Sequence, residues 1–307
     1  MLHSPALLAG FVGLVLAMLA LDLGVVHRRG IERPPRVTAL LSLAWIALAL
    51  GFAVTIHLSS GHVRMLEFVT GYLIEYSLSI DNLFVFLAIF AYFRVPTIHQ
   101  HRVLLWGILS AVCLRLLFVL AGAALLRSFH WSEYVLGAFL LLTALRMLRR
   151  GREPVDPERS RLVRAFRRFV PSVPGFCEGR FLVCIGGRPL ATMLLLVLVL
   201  IEATDVVVAL HSIPAIFAVT SDPLIVFAAN GFAVVGLRSL HSVLSDFVQR
   251  LPYLHLGLGG VLLFVSAKLL LHDVLHVPIW ASLALIFTIL ALATGFSLVR
   301  RPTDVSR

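Results

Sequence analysis

The sequence predicts an all-α fold: a polytopic helical membrane protein of about nine transmembrane helices with two inverted repeats. Three observations carry this. Hydrophobic residues make up 60% of the 307 and charged residues only 14%. Uncharged apolar runs recur along the whole length, each long enough to cross a hydrocarbon core of about 30 Å. Two of the spanning stretches carry paired carboxylates, Glu75 with Asp81 and Glu202 with Asp205, and the polar landmarks around them repeat in the same order. Inside lipid the backbone must satisfy its own hydrogen bonds, so the runs read as helices. No barrel pattern of short alternating strands is present.

The spans follow in order. Pro5–Val26 lacks a basic leader and an A-x-A cleavage site, so it reads as a retained helix. Val37–Leu58 is the second span, and the two make up residues 1–64. Residues 65–148 form the first repeat, with spans at Met65–Phe93, Val103–Leu126 and Trp131–Leu148. A basic loop occupies residues 149–189. The second repeat, 190–271, holds Leu190–Leu210, Leu224–Val243 and Tyr253–Leu271. Pro278–Val299 and a tail complete 272–307. Within the loop, ERSRLVRAFRRFV places Leu162, Phe166 and Phe169 on one helical face with arginines around the rest, which suits a helix lying on an anionic leaflet.

Charge placement sets the orientation. The net charge of +10 would suggest nucleic acid in a soluble domain, but here the arginines concentrate in loops. His27–Arg36, Arg94–Arg102, Arg149–Pro189 and Arg300–Arg307 hold most of them, and the intervening loops hold few. An odd number of spans then puts the N-terminus outside and the C-terminus in the cytoplasm of the cell membrane. The lipid bilayer is the expected partner and nucleic acid is not. Cys113, Cys177 and Cys184 are scattered, without a CxxC pair.

The repeat is legible in short matches. IFAYFRVP (Ile89–Pro96) resembles IFAVTSDP (Ile216–Pro223), and AVCLRLL (Ala111–Leu117) resembles VVGLRSL (Val234–Leu240). Upstream, Glu75 and Asp81 are six apart, as are Asp205 and His211. By the loop count, Met65–Phe93 and Leu190–Leu210 run in opposite directions. Inverted repeats with polar residues at the midplane are a frequent plan of secondary transporters.

Glu75, Asp81, Glu202 and Asp205 lie within spans, where a carboxylate costs roughly 2.5–3.5 kcal/mol at the helix centre. Each needs a proton, an arginine or a cation. Arg115 and Arg238 can balance two of the four. The surplus favours a hard divalent cation held by Glu75, Asp81, Glu202 and Asp205, with Asn82, Thr204 or Ser212 assisting. His211 would tilt the preference towards a first-row transition metal. Six residues turn a helix through about 600°, so Glu75 and Asp81 would lie about 120° apart unless the helix is broken. Ser77, Ser79 and Pro214 offer places for a break. Glu202 and Asp205, three apart, share a face. HExxH, GxSxG and Walker motifs are missing from the sequence, which argues against an enzyme.

EYSLSIDNLFVFLAIFAYFRVP and IEATDVVVALHSIPAIFAVTSDPLIVFAANGFAVVGLRSL resemble the TerC family of integral membrane proteins, named for tellurium resistance and including manganese exporters. The resemblance runs from Leu21–Gly24 to Lys268–Pro278. It implies a nine-span protein of metal homeostasis, with Mn²⁺ or a similar divalent cation as transported substrate rather than cofactor. The family's acidic pairs fall on Glu75 with Asp81 and on Glu202 with Asp205. The chain departs from the family at His211, where FAVDSIPA is usual and VALHSIPA stands here. A retuned metal preference, a proton acceptor and loss of manganese transport are three open consequences. The alternative to an exporter is a membrane scaffold that recruits stress-response proteins through the Arg149–Pro189 loop.

Overall fold

In the computed structural model, Gly13 and residues 35–129, 131–150, 161–173, 175–185, 187–248, 253–274 and 277–299 are described. The expected first span, apart from the helical Gly13, the 300–307 tail and residues 151–160 of the basic loop lie outside them. Among the described residues the chain forms α1 (Pro35–Ser60), α2 (His62–Tyr92), α3 (Thr97–Ser128), α4 (Ser132–Arg150) and the short α5 (Arg161–Phe169). A hairpin, β1 (Leu182–Ile185) with β2 (Arg188–Ala191), precedes α6 (Met193–Phe217), α7 (Pro223–Val248), α8 (Leu254–Leu270) and α9 (Ile279–Val299). Five helices, α1, α2, α3, α6 and α9, contain stretches long and apolar enough to cross a membrane. The first half of α7 and the whole of α8 are shorter apolar helices. The chain is an all-α polytopic membrane protein with one small hairpin.

Helix ends follow local chemistry. Gly61, at φ 91°, separates α1 from α2 in a left-handed conformation that a side chain would strain. Pro223 opens α7, where a missing N–H costs no helical bond. Asp222 Oδ1 accepts from the Leu224 backbone N–H at 3.0 Å, capping the same helix. Facing strands pair Leu182 with Ala191 and Ile185 with Arg188 around a turn at Gly187, φ 77°.

Polar contacts sort the helix ends onto two sides. Arg64 at the start of α2 reaches Asp222 between α6 and α7 at 3.4 Å, and Thr220 donates to Glu67 at 2.7 Å. Tyr134 at the start of α4 donates to Asp273 beyond α8. On the other side, Arg102 of α3 donates to the Gly179 carbonyl at 2.8 Å, and the Tyr253 N–H donates to Ser297 at 3.0 Å. Consequently α2 and α6 run antiparallel.

One apolar core draws Phe68 from α2, Val119 from α3, Ile216 from α6, Phe227 from α7 and Leu262 from α8. A second, at the Arg102 side, joins Phe90 of α2 and Val103 of α3 to Val163 and Phe166 of α5 and Val197 of α6. Leu43, Leu50 and Val54 of α1, with Phe287, Leu292 and Phe296 of α9, stay exposed and give the molecule an apolar exterior suited to lipid.

Three expectations are corrected here. Helix α2 runs unbroken through Ser77 and Ser79, because the Ser77 hydroxyl bonds back to the Leu73 carbonyl at 2.7 Å instead of unwinding the turn. Helix α6 likewise continues through Pro214, one turn from its end, where a proline removes a single ladder bond. In α5 the buried face is Val163 with Phe166, whereas Phe169 is 77% exposed and Arg168 stands over its ring. The reason is tertiary: α5 docks against the start of α6, so its inner face is set by protein packing.

Candidate functional site: a buried carboxylate centre

The centre is built on α2. Glu75 and Asn82 are seven residues apart, about two turns, so they share one helical face, and Ser79 lies between them. All three are buried, Glu75 completely. The Ser79 hydroxyl donates to Glu75 Oε1 at 3.3 Å. Arg115, from the middle of α3, is buried and donates through Nη1 to Glu75 Oε1. The same Nη1 donates to Asn230 Oδ1 of α7 at 2.6 Å. Asn230 in turn anchors its amide nitrogen on the Val226 carbonyl at 3.0 Å. Two turns along α2, Asn82 Nδ2 donates to Asp205 Oδ1 of α6. Four helices thus meet through their polar groups at mid-length.

Glu202 lies one turn before Asp205 on α6 and turns to α3, where the Ser110 hydroxyl donates to its Oε1. A Cβ at Gly107 would lie 3.5 Å from that oxygen, in ordinary van der Waals contact. His211, half-buried, stacks on the Phe139 ring of α4 at 5.8 Å and 11°. The side chains of Asp81 and Arg238 lie outside those described. The structure therefore brings Glu75 to Arg115 and Asp205 to Asn82, sets Glu202 against Ser110, and seats His211 on an aromatic ring. Among the described residues no three His, Cys, Asp or Glu side chains group closely enough to hold a metal ion.

Several donors and acceptors at the centre remain open. Glu75 Oε2, Asn82 Oδ1, Glu202 Oε2, Arg115 Nε and Ser212 Oγ are buried without a hydrogen-bond partner among the described residues. Buried polar atoms rarely stay unpaired, and four of these are oxygens that a cation could use, two of them on carboxylates that a proton could also occupy. Sequence reasoning missed Asn230 and Ser110. The only signal was a single amide and a single hydroxyl inside apolar runs, each of which needs a partner in lipid.

Fold and centre together define an integral membrane protein that carries ionisable groups at the middle of its helices. Residues 60–304 match the integral membrane protein TerC family, and the chain belongs to that family. A Myxococcus xanthus protein described as the uncharacterized membrane protein STKORF319 is 46% identical over 97% of this chain and 93% of its own length. Proteins named membrane-bound redox modulator Alx are similar as well. The Shigella flexneri one is 39% identical over 94% of this chain and 93% of its own length. That of Salmonella typhi is 40% identical over 94% and 92%. No solved structure matches.

Proposed function

We propose that this protein exports Mn²⁺ or a similar divalent cation across the cell membrane, with the carboxylate centre as the transport site. The observation that carries the reading is the set of open oxygens on Glu75, Asn82 and Glu202, buried among α2, α3 and α6. A buried charge left without a partner is strongly destabilising, so these carboxylates are occupied by a proton or a cation when Arg115 does not hold them. Exchange of protons for a cation at one site is the chemistry a coupled exporter needs. Oxygen donors of this kind suit hard divalent ions. Asp81 and His211 complete the expected donor set, and Arg238 with Arg115 balances the acids. Antiparallel α2 and α6, each bearing acids at mid-length, support nine spans with inverted repeats and alternating access between them.

Cellular manganese content in an exporter-deficient strain tests the reading. The wild-type protein is expected to lower it and Asp205→Asn to leave it at the level of the empty vector. Asp205→Asn exporting as well as wild type would remove the site assignment. A wild type that inserts yet leaves manganese unchanged would count against export. His211→Asp belongs in the same experiment: a variant that outperforms wild type means that the histidine has retuned an ancestral manganese site.

A further inference from the structure

One nitrogen of Arg115, Nη1, serves two acceptors on different helices: the Glu75 carboxylate of α2 and the Asn230 amide oxygen of α7. Its Nε has no partner among the described residues, and neither has Glu75 Oε2. The guanidinium is therefore poised between two acceptors, and only the first carries charge. A cation arriving at Glu75 meets the guanidinium already there, and like charges cannot share one carboxylate in a low dielectric without large cost. We propose that Arg115 is a built-in counter-cation that competes with the transported ion for Glu75, and that Asn230 is the positioning residue that retains it while Glu75 is engaged. The inference rests on the export reading.

The geometry explains why an amide stands at 230. A planar amide oxygen accepts from guanidinium in the charge-assisted manner of a strong hydrogen bond, yet it is too weak to draw Arg115 away from a carboxylate. With the ion absent, Glu75 keeps Arg115 and the centre stays compensated. With the ion present, Asn230 spares the guanidinium from being stranded, since its nitrogens would otherwise lie buried and unpaired. Val226 fixes the amide orientation by accepting from Asn230 Nδ2, which leaves Oδ1 facing Arg115. A side chain without an acceptor at 230 would strand Arg115 upon ion binding. A carboxylate there would draw Arg115 off Glu75 and free the site.

The test is equilibrium binding of Mn²⁺, Mg²⁺, Ca²⁺ and Zn²⁺, each alone, to the full chain in lipid nanodiscs. Wild type, Asn230→Ala and Asn230→Asp are compared for the ion that wild type binds most tightly. Asn230→Ala is expected to weaken binding about tenfold, the worth of one hydrogen bond to a charged group. Asn230→Asp is expected to tighten it by a similar factor. A merely structural role for Asn230 would weaken binding in both variants, and that result overturns the proposal, as does no change in either. Wild type binding none of the four ions overturns the export reading itself, and the competition falls with it. An Asn230→Ala protein that does not fold leaves Asn230→Asp to decide alone, with weaker or unchanged binding as the contrary result.

Discussion

Glu75 and Arg115 form the ion pair on which the centre depends. Both are buried, so neutralising one leaves the charge of the other uncompensated. Glu75→Gln is expected to lose about 3–5 kcal/mol of stability, while combining it with Arg115→Met recovers most of the loss. Thermal unfolding in detergent reads both, and a Glu75→Gln protein as stable as its parent would contradict the pairing. This level of the site was partly legible in the sequence. Carboxylates in apolar spans are expensive, so Glu75, Asp81, Glu202 and Asp205 announce themselves by cost. Which partner each one finds is a tertiary matter. Nothing in the run around Asn230 says that it faces Arg115, and nothing around Ser110 says that it faces Glu202. The phenyl ring against His211 comes from α4, far away in sequence.

Helices meet closely where glycines remove side chains. A Cβ at Gly257 of α8 would lie 2.5 Å from Ala293 Cβ of α9, nearer than the two helices permit without separating. Gly257→Ala is expected to cost about 1–3 kcal/mol by overpacking. Gly51→Ala on α1 meets nothing within 4 Å and is expected to be neutral or slightly stabilising. Unfolding temperatures of the two variants check the contrast, and equal effects would contradict the α8–α9 contact. The helices themselves were legible because an apolar run of spanning length has one stable backbone in lipid. The β1–β2 hairpin was not, since four-residue strands beside a glycine turn carry too short a pattern. Unbroken α2 was obscured for another reason. Serines offer the backbone either an exit from the helix or a bond back to the preceding turn, and Ser77 takes the second.

At the scale of the whole molecule, the two sets of helix ends fix a sidedness that labelling can read. The hairpin and α5 share a side with the start of α3, while the turn after α8 joins the start of α4 on the other. With the arginine-rich loops inside, the exposed Cys184 is expected to resist a membrane-impermeant maleimide in intact cells and to react after permeabilisation. Val274→Cys, at an 82% exposed position, should react in intact cells. The reverse pattern would invert the orientation. Whether the carboxylate centre moves a divalent cation is read from transport by the purified protein. Proteoliposomes containing wild type or Asp205→Asn would be given Mn²⁺ and, in separate runs, a proton or a sodium gradient. Wild-type flux that depends on the gradient and is lost in Asp205→Asn is the predicted result. Equal flux from both proteins, or none above empty liposomes from either, would contradict it.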